Sequence, residues 1–310
     1  MTFCSGILHD EDLVTLSSLL TEAGIEHGPL VERPPTFHAI LSDGAHVFVK
    51  ITRPNETVRF GHEIWGANLV RGLGIDAPAP LLDEVQRFVA HDETVRYFTV
   101  WEYIESVGVL DETMVLDVCG VVNRLAAITR PDGLRTFSTD RSMAAIDRRF
   151  TSDNSDFAAQ MWPYAKRLET AVNERLDESS FVLLHGDPHF DNVMSRNGRA
   201  MLVDWESITF GPIEWDIAQM IRPFTERQLV GITLDTIELT VLAETNGIGV
   251  DADLVELCRA LRSVSHISYL YYHGLRGNVF KMVTADIVAR REQVERLLLS
   301  YNTFTLNDMN

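Results

Sequence analysis

Two short stretches hold residues whose types and order suit chemistry. The first, His185-Gly186-Asp187-Pro188-His189-Phe190-Asp191-Asn192-Val193, offers a carboxylate at Asp187 and an amide five residues later at Asn192. The second, Leu202-Val203-Asp204-Trp205-Glu206, places another carboxylate twelve residues after that amide. A positioned carboxylate can accept or orient the proton of an attacking hydroxyl. An amide oxygen and a second carboxylate are the hard oxygens by which Mg2+ is held against a nucleoside triphosphate. The same segment admits a different reading. His185, Asp187, His189 and Asp191 alternate, so an extended backbone would turn all four to one side as ligands of a hydrolytic metal. That reading leaves Asn192 and Asp204 idle, and His38, His46, His62, His91, His266 and His273 show no H-x-x-x-H spacing to complete a closed site.

Loops of this kind need strands to hold them. Phe181-Val182-Leu183-Leu184 leads into the first motif and Ala200-Met201-Leu202-Val203 into the second, with Asn197-Gly198 as a turn between them. Upstream, residues 11–24 place Leu13, Leu16, Leu19 and Leu20 at helical spacing and end at Gly24. Strands are expected at about 37–42 and 45–52, joined by the hairpin signal Ser42-Asp43-Gly44. In the second of these strands Lys50 shares a face with His46 and Phe48. A helix follows at about 56–72, closed by Gly72 and Gly74; then Pro78-Ala79-Pro80-Leu81-Leu82 leads into a strand, and Arg96–Ile104 forms another. From residue 111 the pattern turns helical: 111–129, 141–149 and 155–176 before the motifs, and 213–223, 226–246, 251–272 and 284–300 after them.

Composition narrows the class. With 310 residues, 45% of them hydrophobic and 23% charged, the chain is long enough for one large or two smaller globular domains. Lys+Arg 27 against Asp+Glu 45 gives a formal charge of −18, which repels phosphate backbones and anionic membranes and excludes neither solubility nor a cationic partner. Nucleic acid and membrane are therefore not expected as partners. Cys4, Cys119 and Cys258 are odd in number and in no C-x-x-C pattern, as in a reducing cytosol. Met1–Asp10 lacks the basic and apolar regions of a secretory signal, and no apolar run reaches the roughly 18 residues of a membrane span. A cytoplasmic protein is expected.

Taken together and in order, H-G-D-x-x-x-x-N and D-W-E resemble the catalytic and metal-binding loops of the aminoglycoside phosphotransferase and choline kinase family, small-molecule relatives of the eukaryotic-type protein kinases. Phe210-Gly211-Pro212-Ile213-Glu214-Trp215-Asp216-Ile217-Ala218 resembles the G-P-x-x-W-D-[LI]-A segment of that family. The resemblance runs in order over about residues 30–220, whereas 221–310 match only as a helical lobe. It implies an α+β, protein-kinase-like two-lobe fold, with a small β-rich N-terminal nucleotide-binding lobe (1–104) and a larger, mainly helical C-terminal lobe (105–310).

The resemblance also implies roles. Asp187 would be the catalytic carboxylate, Asn192 and Asp204 the Mg2+ ligands, and ATP or GTP the co-substrate. Lys50 would pair with the nucleotide phosphates, steadied by Glu63 thirteen residues on. Backbone groups of Glu102, Tyr103 and Ile104 would meet the base. His185 would organise the loop and Asp216 would brace it from a helix start, with Trp215 in the core. Glu206 would touch substrate or cap the next turn. One segment departs from the pattern: Glu32-Arg33-Pro34-Pro35-Thr36-Phe37-His38 has no glycine where the family's phosphate loop is rich in glycine or serine, and its prolines remove two N–H donors.

The acceptor is expected to be a small molecule, with cationic ones among the candidates, foremost an aminoglycoside or other antibiotic. The alternative is a metabolic kinase for choline-like amines, homoserine or an amino sugar. Asp235, Glu238, Glu244, Asp251, Asp253 and Glu256 read as solvated helix faces or as an ammonium pocket; His266, Tyr269, Tyr271, Tyr272 and His273 read as helix packing or as a pocket wall. Two further classes stand beside the kinase: the metal hydrolase on His185, Asp187, His189 and Asp191, and a degenerate nucleotide-binding regulator suggested by the glycine-free segment.

Overall fold

A computed structural model describes residues 8–25, 27, 30–33, 36–40, 46–52, 57–104, 109–151, 155–222, 225, 227–275 and 277–307. The chain divides into two compact units, Met1–Ser106 with Met194–Ile208, and Val107–Val193 with Thr209–Asn310.

The first unit starts with helix α1 (Asp10–Glu22) and continues through strands β1 (Leu30–Arg33), β2 (Thr36–Ile40) and β3 (His46–Thr52). Helix α2 (Thr57–Gly72) precedes strands β4 (Gln86–Val89) and β5 (Val95–Glu102). The five strands form one antiparallel sheet in the order β1-β2-β3-β5-β4. The sheet closes over alternate apolar residues. Val47 and Val49 of β3, Phe98 and Val100 of β5 and Phe88 of β4 meet Leu16 and Leu20 of α1 in one buried cluster. Asp12, itself buried, accepts the N–H of His9 at 3.0 Å and that of His91 at 2.5 Å, tying the start of α1 to the β4–β5 turn. The strand expected directly after Pro78–Leu82 begins only at Gln86; the proline segment makes a single bridge from Pro80 to Trp101. The Ser42-Asp43-Gly44 hairpin lies outside the described residues.

The second unit opens with the short strand β6 (Val109–Leu110) and helices α3 (Glu112–Ala126), α4 (Asp140–Thr151) and α5 (Asp156–Arg175). Asp111 caps α3 by accepting the N–H of Met114, and Ser155 caps α5 by accepting that of Ala158. Strand β7 (Val182–Leu184) carries the chain into the first motif. The chain then rejoins the first unit, where the hairpin β8 (Val193–Arg196) and β9 (Arg199–Leu202) carries it to the second motif, turning on Asn197 (φ 53°) and Gly198 (φ 78°) as a two-residue hairpin demands.

Strand β10 (Thr209–Gly211) then pairs antiparallel with β7, and helix α6 (Ile213–Met220) follows. The helix expected over 226–246 starts late. Residues 228–229 are instead strand β11 (Gln228–Leu229), parallel to β6, and Thr233 caps helix α7 (Leu234–Thr245). Helices α8 (Ala252–Tyr272) and α9 (Asn278–Asn307) complete the unit. Helix α8 is its centre, with Leu257, Cys258, Leu261 and Val264 fully buried. The mixed helix and sheet content is that of the α+β class. Among the described residues no helix is long and apolar enough to cross a membrane.

Candidate active-site clusters

In the first unit three sequence-singled residues come together. Lys50 of β3 donates to Glu63 of α2 at 2.5 Å and to Asp204 at 3.0 Å. Lys50 faces Thr99 and Thr36 in the sheet register, so its place is fixed by a central strand on both sides. Burial alone would lower the lysine's pKa, but the Asp204 and Glu63 carboxylates outweigh it and hold the ammonium charged. Glu63 is itself buried, and burial pushes it up to about 7 against the pull of Lys50, with Asp204 adding to the rise. Asp204 stands in the left-handed region (φ 70°, ψ 54°), which costs an aspartate about 1–3 kcal/mol and is a mark of functional sites.

The loop carrying Asp204 rests on α2. Trp205 is fully buried and donates its indole N–H to Leu202 O, while Arg59 grips Glu206 through both carboxylate oxygens. At Gly66 the fit is tightest, since a Cβ there would lie 2.7 Å from the Trp205 carbonyl oxygen. Glu102 is occupied at two points. Its N–H donates to Ala79 O, and its carboxylate accepts from Ala79 N–H at 2.5 Å and from Arg196. Any base contact from this residue is thereby confined to its carbonyl. Tyr103 and Ile104, the two residues after β5, are half-buried. Of the glycine-free segment, Arg33 and Thr36 are register partners in the β1–β2 pair, and Pro34-Pro35 lie outside the described residues.

In the second unit the Asp187 loop is held from behind by α6. The Asp216 carboxylate accepts the N–H groups of His185 (2.8 Å) and Gly186 (2.9 Å), and Trp215 Nε1 donates to Gly186 O at 3.2 Å. Gly186 has φ 87°, a conformation that favours glycine between His185 and Asp187. Burial raises Asp216 to about 7 despite the two N–H donors, and Asp187 adds to the rise. His185 is fully buried, with its Nδ1 accepting the Asp187 N–H at 3.2 Å. Asn192 donates its amide N–H to Asp187 O at 3.1 Å, which turns its amide oxygen elsewhere.

The Asp187 carboxylate itself accepts from two residues that the motifs did not disclose, Gln219 of α6 at 2.5 Å and Arg262 of α8 at 2.9 Å. Burial would raise this carboxyl, but His189, Arg262 and Arg222 together pull it down to about 2, so it is ionised across the physiological range. A periodicity search could not single out Arg262 or Gln219, which read as ordinary polar positions of amphipathic helices.

The four-ligand hydrolytic site is corrected by this geometry. The backbone is not extended through the segment, because Phe190–Asn192 coil into a 3-10 turn. His185 is turned inward, and His189 lies 3.8 Å from Asp187 and 3.7 Å from Asp191 as an ion-pair neighbour. Among the described residues no three His, Cys, Asp or Glu side chains are grouped to hold a metal. The acidic residues of the later helices are also engaged with arginines: Glu238 with Arg259 and Arg290, Glu256 with Arg290, and Asp251 and Asp253 with Arg175. The aromatic cluster is partly packing, with Tyr271 stacked on Phe157 at 4.5 Å and Arg149 over the Tyr269 ring.

Comparison with known proteins agrees with this architecture. The model of the phosphotransferase enzyme family matches residues 32–238, two thirds of the chain. This protein therefore belongs to the phosphotransferase enzyme family, and its class is that of kinases acting on an alcohol group. The fold is similar to that of choline kinase LicA from Streptococcus pneumoniae (17% identity, 93% of this chain and 99% of that one, TM-score 0.61). It is also similar to amicoumacin kinase hAmiN in complex with AMP-PNP, Ca2+ and Ami (13%, 93% and 94%, TM-score 0.67). A third similar structure is aminoglycoside phosphotransferase APH(3'')-Id from Streptomyces rimosus with ADP and streptomycin (14%, 81% and 97%, TM-score 0.61). No curated protein matches the sequence significantly.

Proposed function

We propose that this chain transfers the γ-phosphoryl group of ATP, or of GTP, to a hydroxyl of a small-molecule acceptor. The observation that supports the reading most is the Asp187 carboxylate, fixed by a loop braced on α6 and gripped by Gln219 and Arg262. The acceptor oxygen bonds to the γ-phosphorus while the bond to the β–γ bridging oxygen breaks. ADP leaves with that electron pair, and the hydroxyl proton passes through Asp187 to solvent. With a loose transition state the carboxylate's task is to orient the hydroxyl, and a low pKa suits that task. Lys50, held charged and aimed by Glu63, takes the nucleotide phosphates, and the backbone of Tyr103 and Ile104, with the Glu102 carbonyl, takes the base.

The residues fit a hard divalent cation. Asp204 offers a carboxylate oxygen held at a fixed backbone angle, and Asn192 an amide oxygen, the donor types Mg2+ accepts alongside phosphate oxygens and water. Mg2+ held by oxygens of this kind would neutralise charge on the triphosphate. Antibiotic kinases and a choline kinase share the fold, and hAmiN is in complex with AMP-PNP and APH(3'')-Id with ADP, which supports a nucleotide donor. The acceptor follows less directly. An aminoglycoside would call for free carboxylates near Asp187, and four of the six acidic residues expected to supply them are in ion pairs with arginine. A panel of hydroxylated small molecules, screened for ADP release with ATP and with GTP, tests the reading. Acceptor-dependent release supports it, and release indifferent to every acceptor counts against it.

A further inference from the structure

The groups that α6 and α8 bring to the Asp187 carboxylate are an amide and a guanidinium, the opposite of a pocket for a polyamine. Arg262 is the best defined of them. Its guanidinium lies over the Trp215 ring, 5.0 Å from ring centre, which fixes the plane. One N–H goes to Asp187, the one side-chain hydrogen bond of this guanidinium among the described residues. The side chain is 24% exposed, so the guanidinium is not sealed inside the unit. A planar guanidinium with an open edge matches a carboxylate or phosphate in bidentate fashion. In a chain of charge −18 such a spot beside the presumed catalytic carboxylate is not a general property of the surface.

We propose that Arg262 anchors the acceptor, binding a carboxylate or phosphate group of it and so delivering a neighbouring hydroxyl to Asp187; the substrate is a small hydroxylated anion. This rests on the phosphoryl-transfer reading above and names its acceptor class. The surroundings agree. Arg222, three residues beyond Gln219, acts with its charge on both Asp187 and His266. Burial first, and then Arg222 and Arg262, lower His266 to about 3, which keeps that imidazole neutral next to the anchor. Four of the six carboxylates expected to seat ammonium groups are spent elsewhere: Glu238 on Arg259, Glu256 on Arg290, and Asp251 and Asp253 on Arg175.

The test is calorimetric titration of the full-length protein, with ADP and Mg2+ present so that phosphate-binding groups on the nucleotide side are filled. The probes are matched by skeleton: glycerate, glycerol and 2-amino-1,3-propanediol; gluconate, sorbitol and glucosamine; with 3-phosphoglycerate and glucose 6-phosphate as the phosphate arm. Binding confined to anionic members is expected, and the two arms tell carboxylate from phosphate. Arg262→Gln should weaken that binding by roughly tenfold or more, the loss of a charge-assisted hydrogen bond, and Arg262→Lys should restore part of it. Circular dichroism checks that both variants fold. Preference for the amino polyols, failure of every anionic probe to bind, or equal anion binding in Arg262→Gln would overturn the proposal. An anion bound through Arg262 yet never phosphorylated would uphold the anchor and remove the kinase reading. Phosphorylation of an amino polyol, abolished by Asp187→Asn, would do the reverse.

Discussion

The two units each hold an aspartate at a loop, and they hold it in opposite electrostatic surroundings. Asp204 shares a single lysine with Glu63, and Glu206 adds a further carboxylate whose charge reaches Glu63. Asp187 is one carboxylate among Arg262, Arg222 and His189. The first cluster is crowded with negative charge that an added cation would relieve; the second is dressed with positive charge that an added anion would share. On the proposed function one residue type would thus serve two tasks, a hard-oxygen ligand in one unit and a hydroxyl-orienting group in the other, with the neighbours deciding which.

That contrast breaks most visibly at Asp204. Asp204→Ala is expected to lower turnover by at least about a hundredfold, roughly 3 kcal/mol of transition-state stabilisation, with the fold intact by circular dichroism. Steady-state rates across a magnesium titration check it, and near-normal turnover would remove the metal assignment. Lys50→Ala should act chiefly on the nucleotide, raising its apparent KM by about tenfold or more, the scale of a lost charge-assisted contact. An unchanged KM and rate would refute the phosphate role.

Gly66→Ala sharpens the comparison without touching a charged group. The new methyl meets the Trp205 carbonyl, so the Asp204 loop must move, at a cost of about 1–3 kcal/mol in stability. Thermal unfolding reads the loss, and the magnesium requirement should rise while the affinity for acceptor stays as it was. The smallest effect belongs to Asp216. Its carboxyl, raised from 3.8 to about 7 by burial, gives stability that is full below the unfolded value and is lost as pH climbs through 7. Asp216→Asn should therefore flatten the fall in melting temperature between about pH 4 and 7; an unaltered slope would show that other groups set it.

Local spacing made part of this legible. A lysine near the end of an alternating strand and a glutamate in the second turn of the next helix are thirteen residues apart, and short-range geometry brings them within 2.5 Å. The Asn197-Gly198 turn likewise announces itself, because few residues adopt its positive φ angles. What stayed hidden is tertiary. Gln219 and Arg262 lie 32 and 75 residues from Asp187, and a lone polar residue on an amphipathic helix gives no sign of which loop it will meet. The acidic residues of α7 and α8 misled for the same reason: their arginine partners are on other helices. The helix expected from 226 ran too early because Gln228–Leu229 find a parallel partner in Val109–Leu110, more than a hundred residues away.

Asp187 bears the account most directly. The wild-type protein and Asp187→Asn, each with ATP, Mg2+ and the acceptor found by screening, can be compared by phosphorus NMR of the product. A phosphate monoester forming in the wild type, and at least about a hundredfold more slowly in the variant, is the result expected. Equal rates of ester formation in the two would contradict it.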